Sequence, residues 1–285
     1  MYQVKSNFSL SDTINSVKLI IGDHAYAQID DKWCGKEVYT PFNKLYLIES
    51  GEGVLVLDGQ KITMRPGNAY LIPARTSYSY HCDHAMSKLY FHFNLLRPDQ
   101  YDVFQRIDKI LQLSIPNSLL QSMLEHYYSE ALCDGMLVKE QLYRVLNMFA
   151  KQYSLAQERL PMYSEYVANT INYILKNLTA GLRVSELTKR SPISKSYLEK
   201  LFHKEVGVSM GQYIDEQLMS KAQRLLDQTD DSVTNISQTL GFSDPYYFSR
   251  RFKQLCGTTP IRYRHCRRLN YMEPLSPLPE KKDLP

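Results

Sequence analysis

The spacing of apolar positions changes character along this chain. Over the first 96 residues or so, short apolar runs are broken by glycine and proline turns every eight to twelve positions. A run at 43–50 ends at Gly51-Glu52-Gly53, and Asp58-Gly59 between 54–57 and 61–65 is a two-residue hairpin signal. Pro66-Gly67-Asn68 and Pro73 bound a further run at 69–72. In 89–96, Leu89, Phe91, Phe93 and Leu95 alternate with Tyr90, His92 and Asn94, so the two sets occupy opposite faces of one strand. Short strands with glycine turns predict a small antiparallel barrel.

From Pro98 to Leu160 the period becomes helical, with helices predicted at 116–132 and 137–155. Val138, Leu142, Val145 and Phe149 recur at four, three and four, a stripe that either packs on the barrel of its own subunit or meets a second copy. Residues 157–161 read as a linker. Beyond 161 the helical period continues, and the stretch after Tyr271 holds four prolines and little to bury, so it is expected to be disordered.

Within the last region, 233–264 carries a short apolar-periodic helix (Val233, Ile236, Leu240), then Gly241, which accepts a left-handed turn cheaply. Ser243 and Asp244 offer a cap, and Pro245 suits a first helical position. The next helix places Phe248, Phe252 and Leu255 on one face and Tyr246, Arg250 and Lys253 on the other, with Ser249 on the flank. An apolar back and a basic front after a tight turn describe a helix-turn-helix reader of DNA. The unit occurs twice. Tyr197, Leu198, Phe202, Gly207, Ser209 and Tyr213 lie fifty positions before Tyr247, Phe248, Phe252, Gly257, Thr259 and Tyr263. Val184 and Leu187 lie forty-nine before Val233 and Ile236, so the two turns differ by one residue. Two copies joined by a helical stretch at 214–227 suggest two readers at fixed separation.

Gly241-Phe242-Ser243-Asp244, Tyr247-Phe248-Ser249-Arg250, Phe252-Lys253, Gly257, Thr259-Pro260 and Tyr263-Arg264 resemble the second half-motif of the AraC/XylS transcription regulators. The likeness spans roughly 165–268. Pro245-Tyr246 departs from it, at the DNA-facing start of the helix, where the choice of bases is affected. The early pattern G-E-G, D-G, R-P-G, L-I-P and Y-F-H-F resembles the cupin-type sensor domain of the same family. The resemblance implies an α+β chain: a cupin-like effector-sensing barrel at 1–98, a helical dimerisation and linker segment at 99–160, a double helix-turn-helix domain at 161–271 and a tail at 272–285. It also implies double-stranded DNA, RNA polymerase, a small-molecule effector such as a sugar, and a second copy held through 116–132 and 137–155 as partners. An effector would act through unequal affinity for two arrangements of the dimer.

Charge placement agrees with this. The chain carries a net +4, yet 161–271 alone holds sixteen Lys/Arg against ten Asp/Glu, the uneven balance that a phosphate footprint requires. The five cysteines (34, 82, 133, 256, 266) have no C-x-x-C spacing and suit a reducing compartment rather than a disulfide framework or a zinc site. No apolar run approaches a membrane span and no signal pattern opens the chain, so a cytoplasmic protein is expected.

In the first reader Ser194 caps the helix, Leu198, Leu201, Phe202 and Val206 face inward, and Ser196, Lys200 and His203 project outward with Glu199 at the side. Lys200 can donate to guanine O6/N7 and Glu199 can accept from cytosine N4; Glu199 reads equally as a solvated charge. In the second, Arg250 is a bidentate guanine candidate or a phosphate clamp, Ser249 flanks it, and Tyr246 offers a hydroxyl or packs on a thymine methyl. Lys195, Lys204, Arg251, Lys253, Arg262 and Arg264 are expected on phosphates, which position without specifying sequence. In the barrel, Trp33 is a stacking candidate, and the family's effector positions fall by resemblance near Ser50, Ser79, Phe91 and Phe93. The two phenylalanines read equally as barrel filling, and Ser50 as the start of the Gly51 turn. His24, His81, His84 and His92 lack the H-x-H and carboxylate pattern of a metal cupin, so no metal or other cofactor is expected. No nucleophile elbow, phosphate loop or paired carboxylate appears, which argues against an enzyme, including a sugar-active cupin fused to a regulator. A DNA-binding protein whose barrel only dimerises is the other alternative.

Overall fold

The computed structural model describes residues 17–153, 163–256 and 258–264, which fall into two compact units, 17–153 and 163–264. The predicted linker at 157–161, the tail at 272–285 and Gly257 lie outside the described residues. No described helix is long and apolar enough to cross a membrane.

The first unit is built on β1 (Lys18–Ile29), β2 (Cys34–Val38), β3 (Asn43–Gly51), β4 (Gly53–Leu57), β5 (Gln60–Met64), β6 (Asn68–Ile72), β7 (Tyr78–His81), β8 (Met86–Leu96) and β9 (Leu111–Ser114), followed by α1 (Asn117–Tyr127) and α2 (Leu132–Gln152). The expected barrel takes the form of two antiparallel sheets, ordered β1-β8-β3-β6-β9 and β2-β7-β4-β5. Asp58 and Gly59 both take positive φ, 49° and 78°. This type I′ turn pins Leu57 opposite Gln60 and matches the right-handed twist of the flanking strands. Strand β9 lies in a stretch expected to be helical. Four residues of alternating exposure are too few to outweigh the helical periods after them, and its pairing with β6 fixes it as a strand.

Two cores result from the period-2 alternation. Tyr46, Ile48, Leu55, Tyr78, Tyr80 and Tyr90 meet between the sheets with Trp33. On the other face of the five-stranded sheet, Leu45, Leu47, Leu89, Phe91 and Phe93 pack under Leu120, Met123, Leu142, Val145 and Phe149 of the two helices. Each such burial contributes about 1.5–3 kcal/mol. The Leu142–Val145–Phe149 stripe is therefore spent inside its own subunit and is not a dimer seam. Helices α1 and α2 also differ in extent from the predicted 116–132 and 137–155, because α2 begins earlier, at Leu132.

The second unit contains α3 (Glu165–Lys176), α4 (Val184–Arg190), α5 (Lys195–Val206), α6 (Met210–Gln228), α7 (Val233–Thr239) and α8 (Pro245–Cys256), then a helical turn at 260–264. Both repeats use the same local chemistry. Ser209 Oγ accepts from Gln212 N–H (3.2 Å) at the start of α6, and Thr259 Oγ1 accepts from Arg262 N–H (3.3 Å) at the equivalent place. Leu198, Phe202 and Val206 are buried in one copy, and Phe248, Phe252 and Cys256 in the other. Leu255, expected on that apolar face, is exposed, and Cys256 packs in its stead. Both copies pack on α6, whose 19 residues extend about 28 Å.

Candidate nucleic-acid interface

Helix α7 stops in a left-handed turn. Gly241 sits at φ 80°, its N–H donates to Gln238 O (2.8 Å), and Phe242 N–H donates to Ser237 O (3.0 Å). These two bonds form a Schellman stop. Asp244 then caps α8, its carboxylate oxygens accepting from Tyr246 N–H (2.9 Å) and Tyr247 N–H (3.2 Å). The first reader turns differently. Ser191 is extended, with φ −83° and ψ 139°, as the following proline demands, and Ser194 Oγ caps α5 by accepting from Tyr197 N–H (3.3 Å). One turn uses a glycine and the other a proline, and the two differ by one residue in length.

With Phe202 and Phe252 holding the backs of the two helices, the fronts face outward. Ser196, Glu199, Lys200 and His203 on α5 and Tyr246 and Arg250 on α8 are exposed, and Ser249 is half-buried. Tyr246 is 81% exposed, a large uncovered side chain where the sequence departs from the family pattern. The sequence gives Tyr197 and Tyr247 no role beyond their place in the repeat. They are exposed at matching positions of the two helices, which the fifty-residue repeat already implied.

The six arginines and lysines expected on phosphates divide. Lys195, Lys204, Lys253 and Arg262 are exposed. Arg251 instead pairs through Nη2 with Asp215 Oδ2 on α6 and donates through Nη1 to Gln254 Oε1 (3.0 Å). It sits on the flank of α8 nearest α6, so its charge ties the helices together. Arg264 is half-buried and donates through Nε to Leu226 O (3.3 Å). Both arginines are half-buried and bonded to groups of their own unit, which sets them apart from the four exposed cations.

The five expected effector residues do not converge. Trp33 is buried between the sheets, its ring 4.1 Å from that of Tyr80. Phe91 and Phe93 lie on the opposite face of β8, under the helices, because odd-numbered positions of this strand point away from the inter-sheet core. Ser50 is exposed at the end of β3. Ser79 is half-buried and accepts from Glu37 N–H (3.1 Å). The inward face belongs to the even-numbered positions, including Tyr90 and His92. Tyr90 Oη donates to Asp23 Oδ2 (3.1 Å), which also lies 3.5 Å from His92 Nδ1. The ring of Phe42 stacks on His92 at 4.9 Å. Alternation in 86–96 carried this signal, whereas the β1 bulge that turns Asp23 inward left no mark in the sequence. Among the described residues, no group of three or more His, Cys, Asp or Glu could hold a metal ion.

Residues 187–265 match a helix-turn-helix domain family. The chain is 26% identical over 242 residues to the Msm operon regulatory protein of Streptococcus mutans, covering 77% of this chain and 83% of the relative. It is 27% identical over 239 residues to the arabinose operon regulatory protein of Salmonella typhimurium, covering 77% and 82%. The lactose operon transcription activator of Staphylococcus xylosus is 21% identical over 252 residues, covering 81% and 90%. A solved structure of ToxT from Vibrio cholerae shares the fold at a TM-score of 0.50 and 14% identity, over 88% of this chain and 98% of its own. These relatives are regulators, not enzymes, and they extend the match well upstream of the duplicated readers. With the motif from Gly241 to Arg264 in place, the chain belongs to the AraC/XylS family of DNA-binding transcription regulators.

Proposed function

We propose that this regulator responds to a carbohydrate-class effector taken up between the two sheets of its first unit, and that it reads two successive major grooves with α5 and α8. The observation that carries the effector reading is the inward arrangement of Asp23, Tyr90 and His92 beside the ring of Phe42. A sugar site needs an aromatic plane for the C–H face and a few polar tips to fix hydroxyls. Relatives named for the arabinose, lactose and raffinose operons point the same way.

On the DNA side, Ser196, Glu199, Lys200 and His203 read bases from α5, and Tyr246, Ser249 and Arg250 read them from α8. Lys195, Lys204, Lys253 and Arg262 hold phosphates. The division of labour in this reading keeps the expected boundaries, with sensing up to residue 98, a dimerisation and linker segment at 99–160 that also supplies β9 to the sheet, and reading at 161–271.

A second copy joins through α2. Leu132 and Met136 are 80% and 62% exposed, and Tyr143 is also exposed. At 100° per residue these three lie within an arc of about 40°, away from the buried Leu142–Val145–Phe149 stripe. An uncovered apolar stripe on a helix marks a protein contact.

The effector reading is tested by thermal shift of the full chain with a panel of sugars and sugar derivatives, followed by DNA-binding titration with any compound that stabilises it. A ligand bound only by the native state raises Tm. At least one compound should do so and change DNA affinity, and His92→Ala should abolish the shift. A panel with no stabilising member overturns the reading.

A further inference from the structure

The second unit holds a cavity of about 260 Å³ between α3 and the end of α4. Glu165, Tyr166, Asn169 and Tyr173 of α3 line one side, within an arc of about 100° on that helix. Arg190, the last residue of α4, lines the other with the turn at 191–192. Thr170 and Leu187, both buried, close the floor. The Arg190 guanidinium lies over the Tyr173 ring, 4.5 Å from its centroid.

Charge is separated along this cavity. Glu165 and Arg190 both border it without pairing, and among the described residues neither has a partner of opposite charge. The Asn169 amide and the Tyr166 and Tyr173 hydroxyls make no hydrogen bond among the described residues either. A second carboxylate stands at the Glu165 end, where Glu205 accepts from Ser164 N–H (2.8 Å) and Ser164 Oγ (3.2 Å). One end is therefore anionic and the other cationic, with an amide and two aromatic rings between them. Tyr173 follows Glu165 by eight positions, about 12 Å along the helix.

We infer that this cavity binds a short zwitterionic peptide, of dipeptide length, in the DNA-reading unit itself. Arg190 takes the terminal carboxylate in a bidentate, charge-assisted pair, and Glu165 takes the terminal ammonium. Asn169 can donate to and accept from the peptide group, and the tyrosine rings cover an apolar side chain. A dipeptide spans about 7 Å, and the Glu165 and Arg190 side chains reach inward to meet its ends. A free α-amino acid carries both charges on one carbon and cannot serve both ends. The volume lies just below the roughly 300–1,000 Å³ of drug-sized sites, as so small a ligand requires. The turn at 191–192 leads to Ser194, the cap of α5, so a ligand here braces the approach to the first reading helix. The inference stands apart from the effector reading, which concerns the other unit.

The test titrates glycylleucine into the full chain by calorimetry, beside N-acetyl-glycylleucine, glycylleucinamide and free leucine. Glycylleucine is expected to bind at least tenfold more tightly than any of the three. Arg190→Gln should weaken glycylleucine at least tenfold and leave the amide unchanged, because only the carboxylate contact is lost. Glu165→Gln should weaken it at least tenfold and leave the N-acetyl form unchanged. Both side chains are exposed, so each variant should melt with the wild type. The blocked peptides make the same comparison on the unaltered chain. Absence of glycylleucine binding overturns the inference. So does equal binding of the blocked forms, or an affinity that either variant leaves unchanged. None of these outcomes bears on the sugar panel, whose failure would leave this site standing.

Discussion

Phe202 meets Tyr213 edge to face with ring centroids 5.6 Å apart, and fifty residues later Phe252 meets Tyr263 at 5.5 Å with nearly the same interplanar angle, 71° against 74°. Each pair locks the back of a reading helix to the helical segment that follows it. All four side chains are buried. Phe202→Ala and Phe252→Ala should each cost about 3–5 kcal/mol in urea unfolding, the usual loss for an emptied aromatic site. Unequal costs, with one variant unaffected, would show that the two copies are not held by the same contact.

Neighbouring arginines on α8 should separate by function. Arg250 is exposed on the front of the helix, whereas Arg251 pairs with Asp215 on α6. Arg250→Ala should cost roughly 1–3 kcal/mol of DNA binding and relax the preference at one base pair. Arg251→Ala should lower stability, leave the slope of binding against salt unchanged, and show coupling to Asp215→Ala in a double-mutant cycle. Lys253→Ala should reduce the salt slope by about one unit without changing sequence preference. Selection on random DNA and titrations at several salt concentrations distinguish these outcomes.

The readers were legible because their information is local. Caps, glycine stops and 3.6-residue spacing lie within thirty residues, and the fifty-residue repeat tests each half against the other. Arg251 and Arg264 escaped because their partners, Asp215 and Leu226, are more than thirty residues away; charge alone cannot say which face of a fold an arginine reaches. The faces of β8 were correctly separated by alternation, but the sequence did not reveal which face met the second sheet and which met the helices. The family resemblance groups Phe91 and Phe93 with Trp33 as effector positions, but they fill the other core, in line with the alternative that they only pack. In α2 the apolar stripe was visible, yet periodicity shows only that a stripe is buried. The nearer surface, the unit's own sheet, covers it.

Asp102 anchors the loop after β8. Its Oδ2 accepts from Asn43 Nδ2 (2.8 Å), Asn94 Nδ2 (3.3 Å) and Leu95 N–H (2.9 Å), and its Oδ1 from Phe104 N–H (2.9 Å). Burial pushes its pKa above the ordinary carboxylate value, while these donors pull the other way. A folded value above the unfolded one means that the stabilisation is fully present below the unfolded pKa of about 3.9 and is lost as pH rises through the folded value. Asp102→Asn is neutral at every pH and turns an amide N–H toward at least one donor, at about 1–3 kcal/mol. The wild type should melt above the variant at roughly pH 4, and the gap should narrow toward pH 8. A gap that widens with pH would mean that the carboxylate form is the one the fold favours.

The two stripes of α2 give opposite expectations for one kind of substitution. Leu142 is fully buried against the five-stranded sheet, so Leu142→Asp places an unpaired charge in a packed core and should abolish cooperative unfolding of the first unit. Met136 is mostly exposed, so Met136→Asp should leave the melting temperature of a monomer almost unchanged. If the Leu132–Met136–Tyr143 stripe joins two copies, the same substitution buries a charge at the contact. Sedimentation velocity should then show the dimer converted to monomer, with a loss of affinity for paired half-sites and little change on a single half-site. A Met136→Asp chain that still sediments as a dimer would place the contact elsewhere on the molecule.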